Sequence, residues 1–235
     1  MQSGTVEDYL KTIYELEEKA GVAKTTLLAD RLGIKAGTVS EMIKRLSKAR
    51  SPLIAYKPHQ GVRLTPRGRI AALGVIRRHR LLETFLHHTL DLSWDEVHAE
   101  AEILEHHLSE RVADAMDRHL GHPRFDPHGE PIPRKNGTIA DRSERPLSDI
   151  EERADFRIVR VVPESGALLV HLESLGIGIG CRGSMASKAP SDGPVTIRIM
   201  VGSRAAEHVL ERRIANLIYV EAIQSASPPS TPADD

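Results

Sequence analysis

The chain has 235 residues, 40% apolar and 28% charged; this is ordinary globular composition, with no apolar run of about 18 residues to span a membrane. The polar start MQSGTVEDYL has no apolar leader core, and the single cysteine, Cys181, excludes an internal disulfide and a thiolate metal cluster, so a cytoplasmic protein is expected. The net charge of −1 conceals +9 over residues 1–80, −7 over 81–145 and −3 beyond; a basic first third points to a polyanion, nucleic acid being the commonest, or to a solvated charged face.

Residues 5–19 repeat apolar side chains at helical spacing, and Thr5 with Asp8 gives an N-cap signature. Two short amphipathic helices follow, about 25–32 and 36–48, broken at Gly33. Ala29, Gly33 and Val39 hold the places that a helix-turn-helix fills with a small residue, a turn glycine and a packing residue. LIAYKPHQGVRLT reads as strand, tip and strand, with Lys57, His59 and Arg63 crowding the hairpin as in a wing. Thr65-Pro66 opens a helix over about 66–90. Ser93 and Glu96 form a capping box for another over about 94–108, and a third runs over about 109–120. Residues 121–149, rich in Pro, Gly and charge, read as a linker. Beyond them FRIVRVV, ALLVHLE, VTIRIMV and LIYVEAI read as strands of a small β-barrel or sandwich. The tail 226–235 has no apolar face and is expected to be disordered.

Helix patterning also aligns a set of metal-ligand side chains. Counting from His98, Glu102, Glu105 and His106 fall at +4, +7 and +8, one face of a helix. His79 and Glu83 share a face of the preceding helix at i,i+4. Carboxylates clustered this way repel one another without a cation. The remaining histidines of this stretch, His87, His88, His107, His119, His122 and His128, read as surface or loop residues.

Helix-turn-helix, wing and His/Glu helices together resemble the diphtheria toxin repressor family of metal-dependent transcription regulators. "EDYLKTIYELEE", "RRHRLLETFL", "VHAEAEILEHHL" and "HGEPIP" carry the resemblance, which covers nearly all of residues 5–223. It implies a mainly α protein with β. A winged helix-turn-helix domain spans 1–74, and a helical metal-binding and dimerisation domain spans 75–145. An SH3-like β-barrel spans 150–225. It further implies an activating site of Asp8, Glu102, Glu105 and His106 and an ancillary site of His79, Glu83 and His98, with Glu164 as a further ancillary ligand.

In the family's iron-responsive members, Met and Cys ligands stand where this chain has Asp8 and Glu102. Hard carboxylate oxygens shift the reading to Mn(II), with Fe(II) the alternative and Zn(II), Co(II) or Cd(II) able to substitute in vitro. The short manganese-type members place a glutamate three residues after the aspartate to bridge two metals. Here that position is Lys11, which favours two separate sites.

The resemblance also implies a homodimer on a palindromic operator in double-stranded DNA, controlling metal-uptake genes, with neither a membrane nor a small-molecule substrate as partner. Ala36, Gly37, Thr38, Ser40 and Glu41 occupy the first turns of the recognition helix, where base edges are reached. Lys35, Lys44, Arg45, Lys48, Lys57 and Arg63 are phosphate-contact candidates. A metalloenzyme is the competing class, but the chain has neither H-E-x-x-H nor a Gly-rich nucleophile turn. A winged-helix sensor of an organic ligand is the third reading.

Overall fold

The computed structural model describes residues 3–201 and 204–223. The chain forms two compact units. One comprises Met1–Leu92, Val97–Asp126 and Pro131–Ala140, the other Ser93–Glu96, Pro127–Glu130 and the chain from Asp141.

In the first unit α1 (Ser3–Ala20) begins two residues before the expected Thr5 cap. It buries Tyr9, Leu10, Ile13 and Leu16, a helical stripe that packs on α4, α2 and β2. α2 (Thr25–Leu32) stops at Gly33, whose φ of 64° lets its N–H turn back to the Asp30 carbonyl at 3.3 Å. α3 (Ala36–Ser47) buries Val39, Ile43 and Leu46, and this spacing leaves the opposite face to solvent. The wing pairs β1 (Ile54–Lys57) antiparallel with β2 (Gly61–Leu64), and Ala23 bridges to Val62 on its other edge.

α4 (Pro66–Leu90) matches its expected span. The Thr65 hydroxyl accepts from the Gly68 N–H at 3.1 Å, and Pro66 takes the first helical position. A Cβ at Gly68 would lie 1.8 Å from the Leu53 carbonyl oxygen, so only glycine lets this turn approach the wing. α5 (Val97–Leu104) and α6 (Glu110–His119) pack on α4. α5 is shorter than the expected 94–108. Residues 94–96 and 105–107 form turns, so Glu105 and His106 follow the helix rather than extend it.

The stretch 121–149 carries more structure than its composition predicts. Ile132 packs with Leu81 and Ala113 in a small core of the first unit, and Leu147 is fully buried in the second.

The second unit holds β3 (Arg145–Pro146), β4 (Asp155–Val161), α7 (Gly166–Ser174), β5 (Arg182–Lys188), β6 (Val195–Val201), β7 (Arg204–Leu210), α8 (Arg212–Ala215) and β8 (Ile218–Ala222). The strands form one antiparallel sheet in the order β3-β8-β4-β5-β6-β7. Three of the four expected β-runs are strands. The fourth, ALLVHLE, is helix α7: the Ser165 hydroxyl caps it, accepting from the Leu168 N–H at 3.3 Å, and Leu169 and Leu172 face the core three residues apart. β5 and β7 escaped the sequence reading because each buries few large apolar residues. The tail 226–235 lies outside the described residues. No helix among those described is long and apolar enough to cross a membrane.

Candidate metal centre

Three groups of ligand atoms meet in the first unit among α1, α4, α5 and the turn after α5. Asp8, Glu105 and His106 form one; His79, Glu83 and His98 form another; His79, Glu102 and Glu105 form a third between them. The first joins α1 to the turn after α5, with His106 Nε2 2.8 Å from Asp8 Oδ1 and 3.6 Å from Glu105 Oε1. In the second, His79 Nε2 stands 2.9 Å from Glu83 Oε1 and 3.1 Å from His98 Nδ1, while that His98 nitrogen is 2.9 Å from the same Glu83 oxygen.

The third group already surrounds a cation. Lys11 Nζ donates to Glu102 Oε1 at 2.7 Å and to the two Glu105 oxygens at 3.0 and 3.2 Å, and it lies 3.1 Å from His79 Nδ1. Of the four residues expected at the activating site, the structure brings Asp8, Glu105 and His106 together. Glu102 is turned toward Lys11. All three expected ancillary histidine and glutamate ligands converge.

The electrostatics follow from this crowding. Burial alone would lower the His79 pKa, but Glu83 and a hydrogen bond to Glu105 outweigh it and raise the imidazole to about 9. At His106 burial is likewise outweighed, by Glu7, Asp8 and Glu105, and the pKa is raised. Burial raises Asp8. Glu105, whose side chain is 0% exposed, is lowered: its burial is overcome by His79 and Lys11. Burial opposes the charge on Lys11, and Glu105 and Glu102 hold it charged.

The chain matches the family profiles of the iron dependent repressor N-terminal DNA binding domain over residues 1–62, its metal binding and dimerisation domain over 65–134, and a FeoA domain over 145–222. It is 34% identical over 186 residues to the diphtheria toxin repressor of Corynebacterium efficiens, a match covering 75% of this chain and 80% of that one. The chain belongs to the iron-dependent repressor family. It is 40% identical over 129 residues to the iron-dependent repressor IdeR of Mycobacterium leprae, covering 55% of each chain. The chain thus spans little more than half the length of that relative. Among solved structures, a manganese-dependent transcriptional repressor in complex with manganese aligns with a TM-score of 0.83 at 35% identity, covering 93% of this chain and 100% of that one.

Within this iron-dependent repressor fold the donor chemistry fits a divalent metal. Ligand atoms at about 2.0–2.2 Å from an ion stand at most roughly 4.4 Å apart; His106 Nε2 lies 2.8 Å from Asp8 Oδ1 and 3.6 Å from Glu105 Oε1, and the His79, Glu83 and His98 atoms are separated by 2.9, 3.1 and 2.9 Å. The donors are carboxylate oxygens and imidazole nitrogens without sulfur, a set suited to Mn(II) and open to Fe(II) or Zn(II).

Sequence reasoning missed two supporting residues. Glu7 Oε2 lies 2.8 Å from His106 Nδ1, and its other oxygen accepts from Arg78 at 2.9 Å. Arg78 also donates to the Glu105 carbonyl at 3.0 Å and to Glu110 at 3.0 Å, tying α1 to both sides of the α5–α6 turn. Glu7 beside Asp8 was the available signal, since residues one apart on a helix can flank a single partner from two sides.

Other expected positions are less engaged or differently placed. In the second unit Glu164 pairs with Arg213 at 2.6 Å on the surface. His128, expected on the surface, is buried there with Nε2 3.0 Å from the Trp94 carbonyl. On the helix-turn-helix, Lys35, Ala36, Gly37, Thr38, Glu41, Lys44, Arg45 and Lys48 are exposed along one side of α3 and its flanks, as are Lys57 and Arg63 on the wing. Ser40 is half-buried and donates to the Ala36 carbonyl at 2.9 Å.

Proposed function

We propose that this protein is a metal-activated, dimeric, DNA-binding transcription regulator that represses metal-uptake genes when Mn(II) is plentiful. The observation that carries the reading is the group made by Asp8 on α1 with Glu105 and His106 after α5. It draws ligands from the helix that supports the winged helix and from the helical segment matched by a dimerisation-domain profile. A bound divalent ion would supply a common positive partner for these carboxylates and the neutral imidazole.

The residues' roles follow from position. Asp8 closes on Glu105 and His106, with Glu102 able to swing in from the exposed face of α5, and so fixes α1 against the α4–α5 pair. His79, Glu83 and His98 form a separate ancillary site that braces the same helices. Fixing α1 sets the angle of α3, whose exposed Ala36, Gly37 and Thr38 and half-buried Ser40 reach base edges with short side chains. Lys35, Lys44, Arg45, Lys57 and Arg63 meet phosphates. In a two-fold dimer the two α3 helices fit major grooves about 34–36 Å apart, which calls for a palindromic operator. In thermodynamic terms the ion shifts the population toward the DNA-competent arrangement by binding it more tightly.

Manganese is favoured over iron because Asp8, Glu102 and Glu105 offer hard oxygen donors. Fluorescence anisotropy on the protein's own upstream DNA, titrating Mn(II), Fe(II) and Zn(II) without oxygen, tests the reading. Binding that needs metal and is lost in Asp8→Ala supports it; a protein–DNA complex indifferent to chelator overturns it.

A further inference from the structure

Asp8 and Glu17 stand on the same helix and reach in opposite directions. Nine residues separate them on α1, about two and a half turns and about 13.5 Å along the axis. Asp8 meets His106 after α5, and Glu17 meets the wing. α1 is therefore a rod with the Asp8 ligand group at one end and the wing at the other.

Glu17 does for β2 what a neighbouring strand would do. β1 occupies one edge of β2. On the other edge the Val62 N–H donates to the Ala23 carbonyl at 2.9 Å, and the Val62 carbonyl accepts from the Ala23 N–H at 3.1 Å. Leu64 lies two residues on, so its N–H points the same way. It donates to Glu17 Oε1 at 3.1 Å, and a carboxylate from α1 thus supplies the next rung of the ladder. Arg63 precedes Leu64, and Lys57 ends the other strand opposite Gly61; both are exposed.

Charge and position predict opposite signs for the loss of Glu17. The side chain is half-buried beside the positive charge of Arg63, and removing an anion there by itself strengthens binding to a polyanion. Losing a residue that positions the wing does the reverse, because Lys57 and Arg63 leave their phosphates.

We infer that Glu17 is a positioning residue that transmits the metal-set position of α1 to the wing, so that the ion governs phosphate contacts by Lys57 and Arg63 as well as the angle of α3. The inference rests on the metal-activated regulator reading proposed above.

Fluorescence anisotropy of the full chain on its own upstream DNA, with Mn(II) and with chelator across a salt series, tests it. In Mn(II), replacing Lys57 and Arg63 together with alanine lowers the slope of log affinity against log salt by about 1.8, about 0.9 for each phosphate. Glu17→Ala gives the same lower slope and narrows the Mn(II)-dependent gain in DNA affinity by about 2- to 30-fold. It leaves the Mn(II) affinity of the free protein unchanged, and adding Lys57→Ala and Arg63→Ala to it changes the slope no further. Glu17→Gln keeps an oxygen that accepts from the Leu64 N–H and retains both slope and gain, which guards against a folding defect in the alanine variant. Glu18→Ala removes the adjacent anion, exposed and paired with Arg69 at 2.8 Å, and lowers neither. An unchanged slope in Glu17→Ala or in the Lys57/Arg63 variant, additive losses on combining them, or an equal loss in Glu17→Gln overturns the inference while leaving the regulator reading intact. DNA binding by the unaltered protein that is the same with Mn(II) and with chelator overturns both.

Discussion

His106 Nδ1 sits 2.8 Å from Glu7 Oε2, while the opposite ring nitrogen points at Asp8. Two adjacent residues of α1 therefore grip one imidazole from both sides. Glu7 fixes the tautomer by accepting from Nδ1, which leaves Nε2 to coordinate, and Arg78 holds Glu7 in turn. A carboxylate behind a ligating histidine typically contributes 10–100-fold to metal affinity. Glu7→Gln is expected to weaken Mn(II) binding by about tenfold with little change in thermal stability. An unchanged affinity by isothermal titration would remove Glu7 from the centre.

In the proposed centre protons and metal compete for the same imidazoles, and this sets a pH dependence. His79 is raised from 6.5 to about 9, and His106 is raised as well. Their protonation stabilises the metal-free fold fully below about pH 6.5, and that contribution is lost as pH climbs toward 9. The urea midpoint of metal-free protein should fall over this window. Mn(II) affinity should rise between pH 6 and 8, with proton release visible as a dependence of the binding enthalpy on the buffer. A metal affinity flat across that range would mean that neither imidazole is a ligand.

The ancillary group can be separated from the activating one by substitution. His98 is half-exposed at the start of α5, so His98→Ala removes a ligand without opening a core cavity. The loss of one bound ion of two is expected, with the Asp8 group still filled. Asp8→Ala should show the converse, losing metal-dependent DNA binding while His79, Glu83 and His98 still take up an ion. Equal loss of both ions in either variant, read by mass spectrometry of the native protein, would show one coupled centre instead of two.

Local signals made the helix boundaries of the N-terminal half legible. Gly33, Thr65-Pro66 and the Ser93/Glu96 box each act within a few residues, and all three mark boundaries or turns in the structure. Grouping the centre needed tertiary information. His79, Glu102 and Glu105 come from two segments, and only packing shows that Lys11 reaches into them from α1. Reading Glu105 and His106 on one continuous helix face placed the right residues together for an incomplete reason, since both lie in the turn after α5. In the second unit the period was misread at ALLVHLE. An apolar run of that length suits a strand or a buried helix equally, and Ser165 at its start decided for the helix.

Gly68 gives a stability test that is independent of metal. Its missing side chain lets the first turn of α4 meet the Leu53 carbonyl, where an added Cβ would stand at 1.8 Å. Backbone cannot swing aside as a flexible side chain does, so Gly68→Ala is expected to destabilise the metal-free protein by about 3 kcal/mol, the upper end for overpacking. Gly37, which has nothing within 4 Å of its Cβ position, is the control: Gly37→Ala should stay within about 1 kcal/mol and, inside a helix, tend to stabilise. Equal urea midpoints for the two variants would contradict this packing.

In the proposed regulator, DNA recognition divides between two kinds of residue on α3, and salt separates them. Lys44 is exposed beyond the second turn, suited to a phosphate, whereas Thr38 lies in the first turn with a short side chain that can meet a base edge. Lys44→Ala should weaken binding to matched and mismatched duplexes alike and lower the slope of log affinity against log salt by about 0.9 for each phosphate that Lys44 neutralises. Thr38→Ala should leave the salt slope unchanged and cost on the order of 1 kcal/mol on the matched operator alone. Both experiments need saturating Mn(II), so that only the interface is varied. If Lys44→Ala instead narrows the gap between matched and mismatched DNA, Lys44 reads a base and α3 sits deeper in the groove than its exposed face implies.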